Sequence, residues 1–145
     1  MMSILYAIIG TIALSVLVGV PSRCYPYCGL IGGSGWMVYI LMQNVWNMGA
    51  GTAALLATMV VLIFSRIAAI WKRCPVTIFL VSGIFPLVPG AGIYWTAYYI
   101  VTNQLQLAAQ TGYEAIKIAA AIVLGIVFVF ELPQILFLKL LGQKH

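Results

Sequence analysis

The sequence predicts an all-α membrane bundle of about five transmembrane helices in a single domain, residues 1–145, whose fourth helix is broken by proline and glycine. Three observations carry this. Hydrophobic residues make up 64% of the 145 and charged residues 6%, with a mean hydropathy of +1.12. Soluble domains carry about 25% charged residues, so an apolar surface of this extent needs lipid as its solvent. Apolar runs close to the ~20 residues that cross a bilayer recur between short polar or basic stops. Finally, "GIFPLVPGAGIYW", Gly83 to Trp95, sets two prolines and three glycines inside one of those runs.

The first span is Met2–Val20, stopped by Pro21-Ser22-Arg23. It has no basic n-region and no small-x-small cleavage site follows it, so it reads as a retained span rather than a signal peptide. Thr11 and Ser15 share one of its faces and are expected to bond across to a neighbouring helix. The second span, Tyr27–Trp46, is rich in glycine. Its Gly29-x-x-x-Gly33, with Gly32 and Gly35, is a close-contact face, read as packing within the chain ahead of packing between copies. Gln43, Asn44 and Asn47 cluster at its end, as an outer vestibule or as ordinary interface residues.

The third span is Met48–Trp71, stopped by Lys72-Arg73-Cys74-Pro75, with small-residue pairs at Ala50/Ala54 and Ala53/Ala57. The fourth is Val76–Thr102. The polar run Asn103–Gly112 is expected as a connection. The fifth span is Tyr113–Leu138, ended by Lys139 and carrying Ala121-x-x-x-Gly125.

Charge sets the expected orientation. With five spans, Arg23, Lys72, Arg73, Lys139 and Lys144 fall on one side, and only Lys117 falls on the other. Basic residues favour the cytoplasm, so the N-terminus is expected outside and the C-terminus inside. Trp71, Tyr25 and Tyr27 near the inner interface, and Trp46, Tyr98, Tyr99 and Tyr113 near the outer one, match the aromatic belts.

Several classes are set aside. The net charge of +5 comes from basic residues scattered among apolar runs, which form no stripe for nucleic acid. Cys24 and Cys28 lack C-x-x-C spacing and the one histidine is His145, so neither metal nor other cofactor is expected; the cysteines read as small interfacial thiols. No nucleophile–histidine–acid arrangement, H-E-x-x-H or P-loop occurs, so the chain is not read as an enzyme. A channel would need a charged ring that the spans lack.

The break is the functional candidate. Pro86 and Pro89 cannot donate to the carbonyls of Ser82 and Phe85, and Pro89 lies at the centre of its span. Unpaired backbone at that depth is tolerated only inside protein or beside a wet cavity. A half-helix starting near Gly90 turns N–H groups and the positive dipole end into the gap, where a carboxylate would sit. Gly90 and Gly92 allow close approach, and Tyr94 stands near enough to act as a gate. The alternative is a packing kink. Pro86, Pro89, Gly90, Gly92 and Tyr94 are therefore the expected substrate site.

Two charges lie within spans. Arg66 precedes Lys72 by six residues and Glu131 precedes Lys139 by eight, which puts them about 9 and 12 Å deep. They are expected to pair or to line the inner end of the path, with Glu131 the one plausible proton carrier and snorkelling the alternative for Arg66.

"FPLVPGAGIY", together with "GVPSRCYPYCGLIGGSGWMVY", Ser65-Arg66 and Gly112-Tyr113, resembles the smaller, C-terminal-type module of the threonine/serine exporter family. The resemblance covers roughly Val18 to Tyr113. It implies a secondary exporter of small carboxylate-bearing metabolites in the inner cell membrane of a prokaryote, with threonine and serine moved by some members and succinate by others. It also implies a larger membrane subunit as partner, with a homo-oligomer as a further option. Pro86, Pro89 and Gly90 carry over as the broken-helix element and Arg23 as its basic loop position. The competing expectation is a non-transporting assembly subunit.

Overall fold

The computed structural model describes residues 2–131, and those residues are helical apart from short connections. Six helices follow in order: α1 (Met2–Leu17), α2 (Tyr25–Asn44), α3 (Ala50–Lys72), α4 (Val76–Ile84), α5 (Gly90–Val101) and α6 (Leu105–Phe130). Single 3-10 turns at Ser22–Cys24 and Phe85–Leu87 introduce α2 and close α4.

Three helices end by one device. Where a chain turns out of a helix, a residue in the left-handed region lets the next two N–H groups fold back onto the last carbonyls. Gly19 (φ +74°) does this for α1, with Val20 N–H reaching Ser15 O at 3.0 Å. Arg73 (φ +54°) ends α3, and Asn103 (φ +60°) ends α5 with Gln104 N–H on Tyr99 O at 2.8 Å. Asparagine tolerates that conformation well; arginine adopts it at a cost of ~1 kcal/mol or more.

Small residues set the packing. Gly29 and Gly33 of α2 face Ile12 and Ile8 of α1, and Gly32 meets Thr11, so the glycine face packs within the chain. A methyl group at Gly83 of α4 would lie 2.8 Å from Ile31 and 2.9 Å from Val61, so this glycine seats α4 against both α2 and α3. Thr11 and Ser15 are fully buried, but their hydroxyls donate back to Ala7 O and Thr11 O of their own helix, both at 2.7 Å. Bonds one turn back thus satisfy both hydroxyls within α1, while Ser15 also lies against the Cys28 thiol of α2.

α3 packs along α6, α2 lies between α1 and α3, α4 rests on α2 and α3, and α5 lies on α6. The core joins Cys28, Ile31, Ala54, Ala57, Val61 and Phe79, with Ile122 contributed by α6.

Ala50–Lys72 and Leu105–Phe130 are long and apolar enough to cross a membrane by themselves, and the bent pair Val76–Leu87 and Gly90–Val101 makes a third crossing if it is one span. Met2–Leu17 is a shorter apolar helix. One expectation is corrected: the polar run after α5 is not a connection. Only Thr102 to Gln104 separate α5 from α6, and Leu105–Gly112 forms the first turns of α6. Leucine, alanine and glutamine are strong helix formers, and this outweighs their mixed polarity. The end of the expected fifth span, with Lys139 and Lys144, lies outside the described residues.

Candidate functional site

The break falls at the expected place. α4 and α5 meet at 51° across Val88-Pro89. Pro86 enters the 3-10 turn, and Val88 N–H bonds the Phe85 carbonyl at 3.2 Å, supplying the donor that Pro89 lacks. Val88 itself is extended (ψ 130°), and Pro89 caps α5 with φ −76° and ψ 55°. Gly90 N–H turns back to Val88 O at 2.7 Å, and Ile93 N–H makes the first helical bond, to Pro89 O at 3.0 Å. The N–H groups of Ala91 and Gly92 lie in the first turn, which has no intrahelical acceptors. No side chain caps them.

The residues that carry these donors line a cavity of about 420 Å³. Its floor is the break, Pro86 to Gly92; Trp36 and Tyr39 of α2, Trp95 of α5, and Gln110, Thr111 and Glu114 of α6 complete it. The indole Nε1 of Trp36 is buried with no hydrogen-bond partner. Trp36 stacks on Tyr39 (5.3 Å), and Gln43 Nε2 donates to the Tyr39 hydroxyl at 3.1 Å, so one of the three amides at the end of α2 braces the cavity wall. Thr96 donates to Thr111 at 3.1 Å and links α5 to α6 beside the cavity. Glu114 lies 3.8 Å from Lys117 one turn along.

The structure therefore brings Pro86, Pro89, Gly90 and Gly92 to one cavity. Their roles differ in packing. No atom lies within 4 Å of a methyl group placed on Gly90, whereas one on Gly92 would lie 3.3 Å from the Ala115 methyl, so Gly92 is where α5 touches α6. Tyr94 lies outside the lining, 63% exposed, with its ring edge-on to Trp95 at 5.5 Å. Trp95 faces the cavity in its stead, one residue and about 100° further round the helix.

Arg66 and Glu131 sit elsewhere, Arg66 six residues before the end of α3 and Glu131 just past the end of α6. Arg66 is buried, donates from Nη2 to the Phe130 carbonyl at 3.1 Å and lies over the Phe130 ring at 5.3 Å. Glu131 is the exposed cap residue of α6. Arg23 is exposed beside Lys72 and Arg73 around a second crevice. Among the described residues no group of three or more His, Cys, Asp or Glu side chains could hold a metal ion.

A broken apolar helix whose first turn lines a half-open cavity suits the handling of a small anion within a membrane protein. The family model described as threonine/serine exporter, ThrE, matches residues 3–131. The chain belongs to the threonine/serine exporter family. No curated protein and no solved structure matches it. This threonine/serine exporter-type membrane protein carries its proline-glycine break within the matched region. Sequence reasoning about the exporter missed Trp36, Gln110, Thr111 and Glu114. Only the last three had a signal, as the polar face of a helix start that hydropathy alone reads as a loop.

Proposed function

We propose that the chain is the membrane subunit of a secondary exporter that moves small carboxylate-bearing metabolites out of a prokaryotic cell across its inner membrane, working with a larger subunit of its family. The carrying observation is the cavity at the break, with unpaired donors on one wall and a carboxylate on the other. Ala91 N–H and Gly92 N–H would receive a substrate carboxylate, joined by Trp36 Nε1, now buried, if the indole turns on binding. Glu114 would receive an ammonium group, with Thr111 and Gln110 available to a hydroxyl. That pairing favours threonine or serine over succinate, whose second carboxylate would meet Glu114.

In this reading five segments cross the bilayer, with the N-terminus outside. Support comes from Arg23, Lys72 and Arg73, which line one crevice although they belong to two different connections, as residues on one side of a membrane would.

The test is counterflow in proteoliposomes containing this chain and its larger partner. Labelled threonine or serine should exchange, succinate should not, and Glu114→Gln should abolish exchange without loss of reconstituted protein. Full exchange by Glu114→Gln would remove the proposed site. No exchange of any carboxylate by the pair would leave the chain an assembly subunit.

A further inference from the structure

Away from the break, two connections meet. The 3-10 turn before α2 carries Cys24, and the turn after α3 carries Cys74. Their sulfurs lie 3.6 Å apart, although the residues are 50 positions apart in the chain. Cys24 is 1% exposed, while Cys74 is partly exposed. Both line a crevice of about 450 Å³ whose other walls are Pro21, Arg23, Trp71, Lys72 and Arg73. The crevice thus has three cationic side chains and no acidic one. Lys72 is steered by the Tyr27 ring, which it overlies at 4.4 Å.

We propose that Cys24 and Cys74 form a redox-active dithiol that closes to a disulfide when a small anionic disulfide enters this crevice. Cys74, the accessible member, reacts first. It gives its proton to water, and its thiolate attacks one sulfur of the incoming disulfide; that S–S bond breaks and one small thiolate leaves with the electron pair, taking up a proton. Cys24 then loses its proton and attacks the Cys74 sulfur of the mixed disulfide. The second small thiol leaves, and the Cys24–Cys74 bond remains. Two protein thiols are oxidised and one small disulfide is reduced to two thiols. The basic walls select the reagent, since a charged crevice raises the encounter rate of the opposite charge. The product would fasten the turn that opens α2 to the turn between α3 and α4.

The test uses the purified full chain in nanodiscs and two disulfides of similar size and opposite charge: that of 2-sulfanylethanesulfonate, and cystamine. Thiol counting and peptide mapping of the wild type with the anionic reagent should show two of the three cysteines lost, a 24–74 link, and Cys28 still free. The anionic reagent should react roughly tenfold faster than cystamine at low salt, with the difference erased at high salt. Cys24→Ser should stop at a stable mixed disulfide on Cys74, and Cys74→Ser should take up neither reagent. A wild-type adduct that persists on Cys74, a link involving Cys28, or equal rates for the two reagents would overturn the proposal.

Discussion

Arg66 holds the end of α6 through Phe130: its Nη2 donates to the Phe130 carbonyl at 3.1 Å, and its guanidinium plane carbon lies 5.3 Å from the Phe130 ring centre. A cation at a helix C-terminus meets the negative end of the helix dipole, and the carbonyls there have no intrahelical donors. The sequence placed this charge at similar depth to Glu131; the structure shows it at work on the backbone of the preceding residue.

Arg66→Met should therefore lower stability in detergent by ~1.5–3 kcal/mol, as loss of a charged hydrogen bond does. Arg66→Lys should lose less, since it keeps the charge but not the planar fork. The side-chain pairing with Glu131 is a separate proposal, and a double-mutant cycle with Glu131→Gln measures it. Coupling above ~0.5 kcal/mol supports the pair; additive effects argue that Glu131 acts alone.

Gly83 and Gly10 make a matched comparison. Gly83 has Ile31 and Val61 within 3 Å of the site of an added methyl, and Gly10 has nothing within 4 Å. Gly83→Ala should cost ~1–3 kcal/mol, as overpacking does. Gly10→Ala, in the middle of α1, should gain ~0.5–1 kcal/mol from the better helix former. Denaturation midpoints of the two variants should move in opposite directions.

At the break, Gly90 and Gly92 should separate folding from transport. Gly90→Leu projects into open space and should insert and fold normally while its side chain obstructs transport. Gly92→Leu collides with Ala115 and should reduce the folded yield itself. Size-exclusion profiles read beside flux distinguish the two; normal flux by Gly90→Leu would contradict the proposed site.

Trp36 offers a test with an inverted sign. Its indole N–H is buried without an acceptor, which costs ~1–3 kcal/mol in the unliganded protein. Trp36→Phe removes that donor and keeps a ring against Tyr39, so stability should stay within ~1 kcal/mol of wild type or rise. If the donor serves a substrate carboxylate, half-saturation for exchange should rise roughly tenfold, the equivalent of ~1.4 kcal/mol. An unchanged half-saturation would leave the indole outside the site.

The break was legible because proline chemistry is local. Pro86 and Pro89 lack donors whatever surrounds them, and Gly90 follows as the start of a new helix. The glycine face of α2 was legible for a related reason: only a close neighbour rewards four glycines within seven residues, and α1 and α3 supply it. What escaped the sequence depends on rotation or on distance along the chain. Tyr94 and Trp95 are both aromatic and adjacent, and which of them faces the cavity is set by how α5 lies on α6. The start of α6 escaped because hydropathy weighs Gln106 and Gln110 as loop-like, while their propensity is helical. Cys24 and Cys74 stand 50 residues apart, and no local pattern marks them as neighbours.

Between α3 and α6 the fit at Gly125 is tight: an added methyl group would lie 3.1 Å from both the Leu55 carbonyl and the Thr58 Cβ, which would have to give by a few tenths of an ångström. A one-residue screw of either helix past the other would bring Leu124 or Ile126, each far bulkier than a methyl group, toward that slot. The two longest helices among the described residues are therefore keyed together at this glycine. If the chain works by the alternating access that its proposed function requires, this seam is the part expected to stay together, and the bend at Val88-Pro89 is the place where the shorter helices α4 and α5 could move apart.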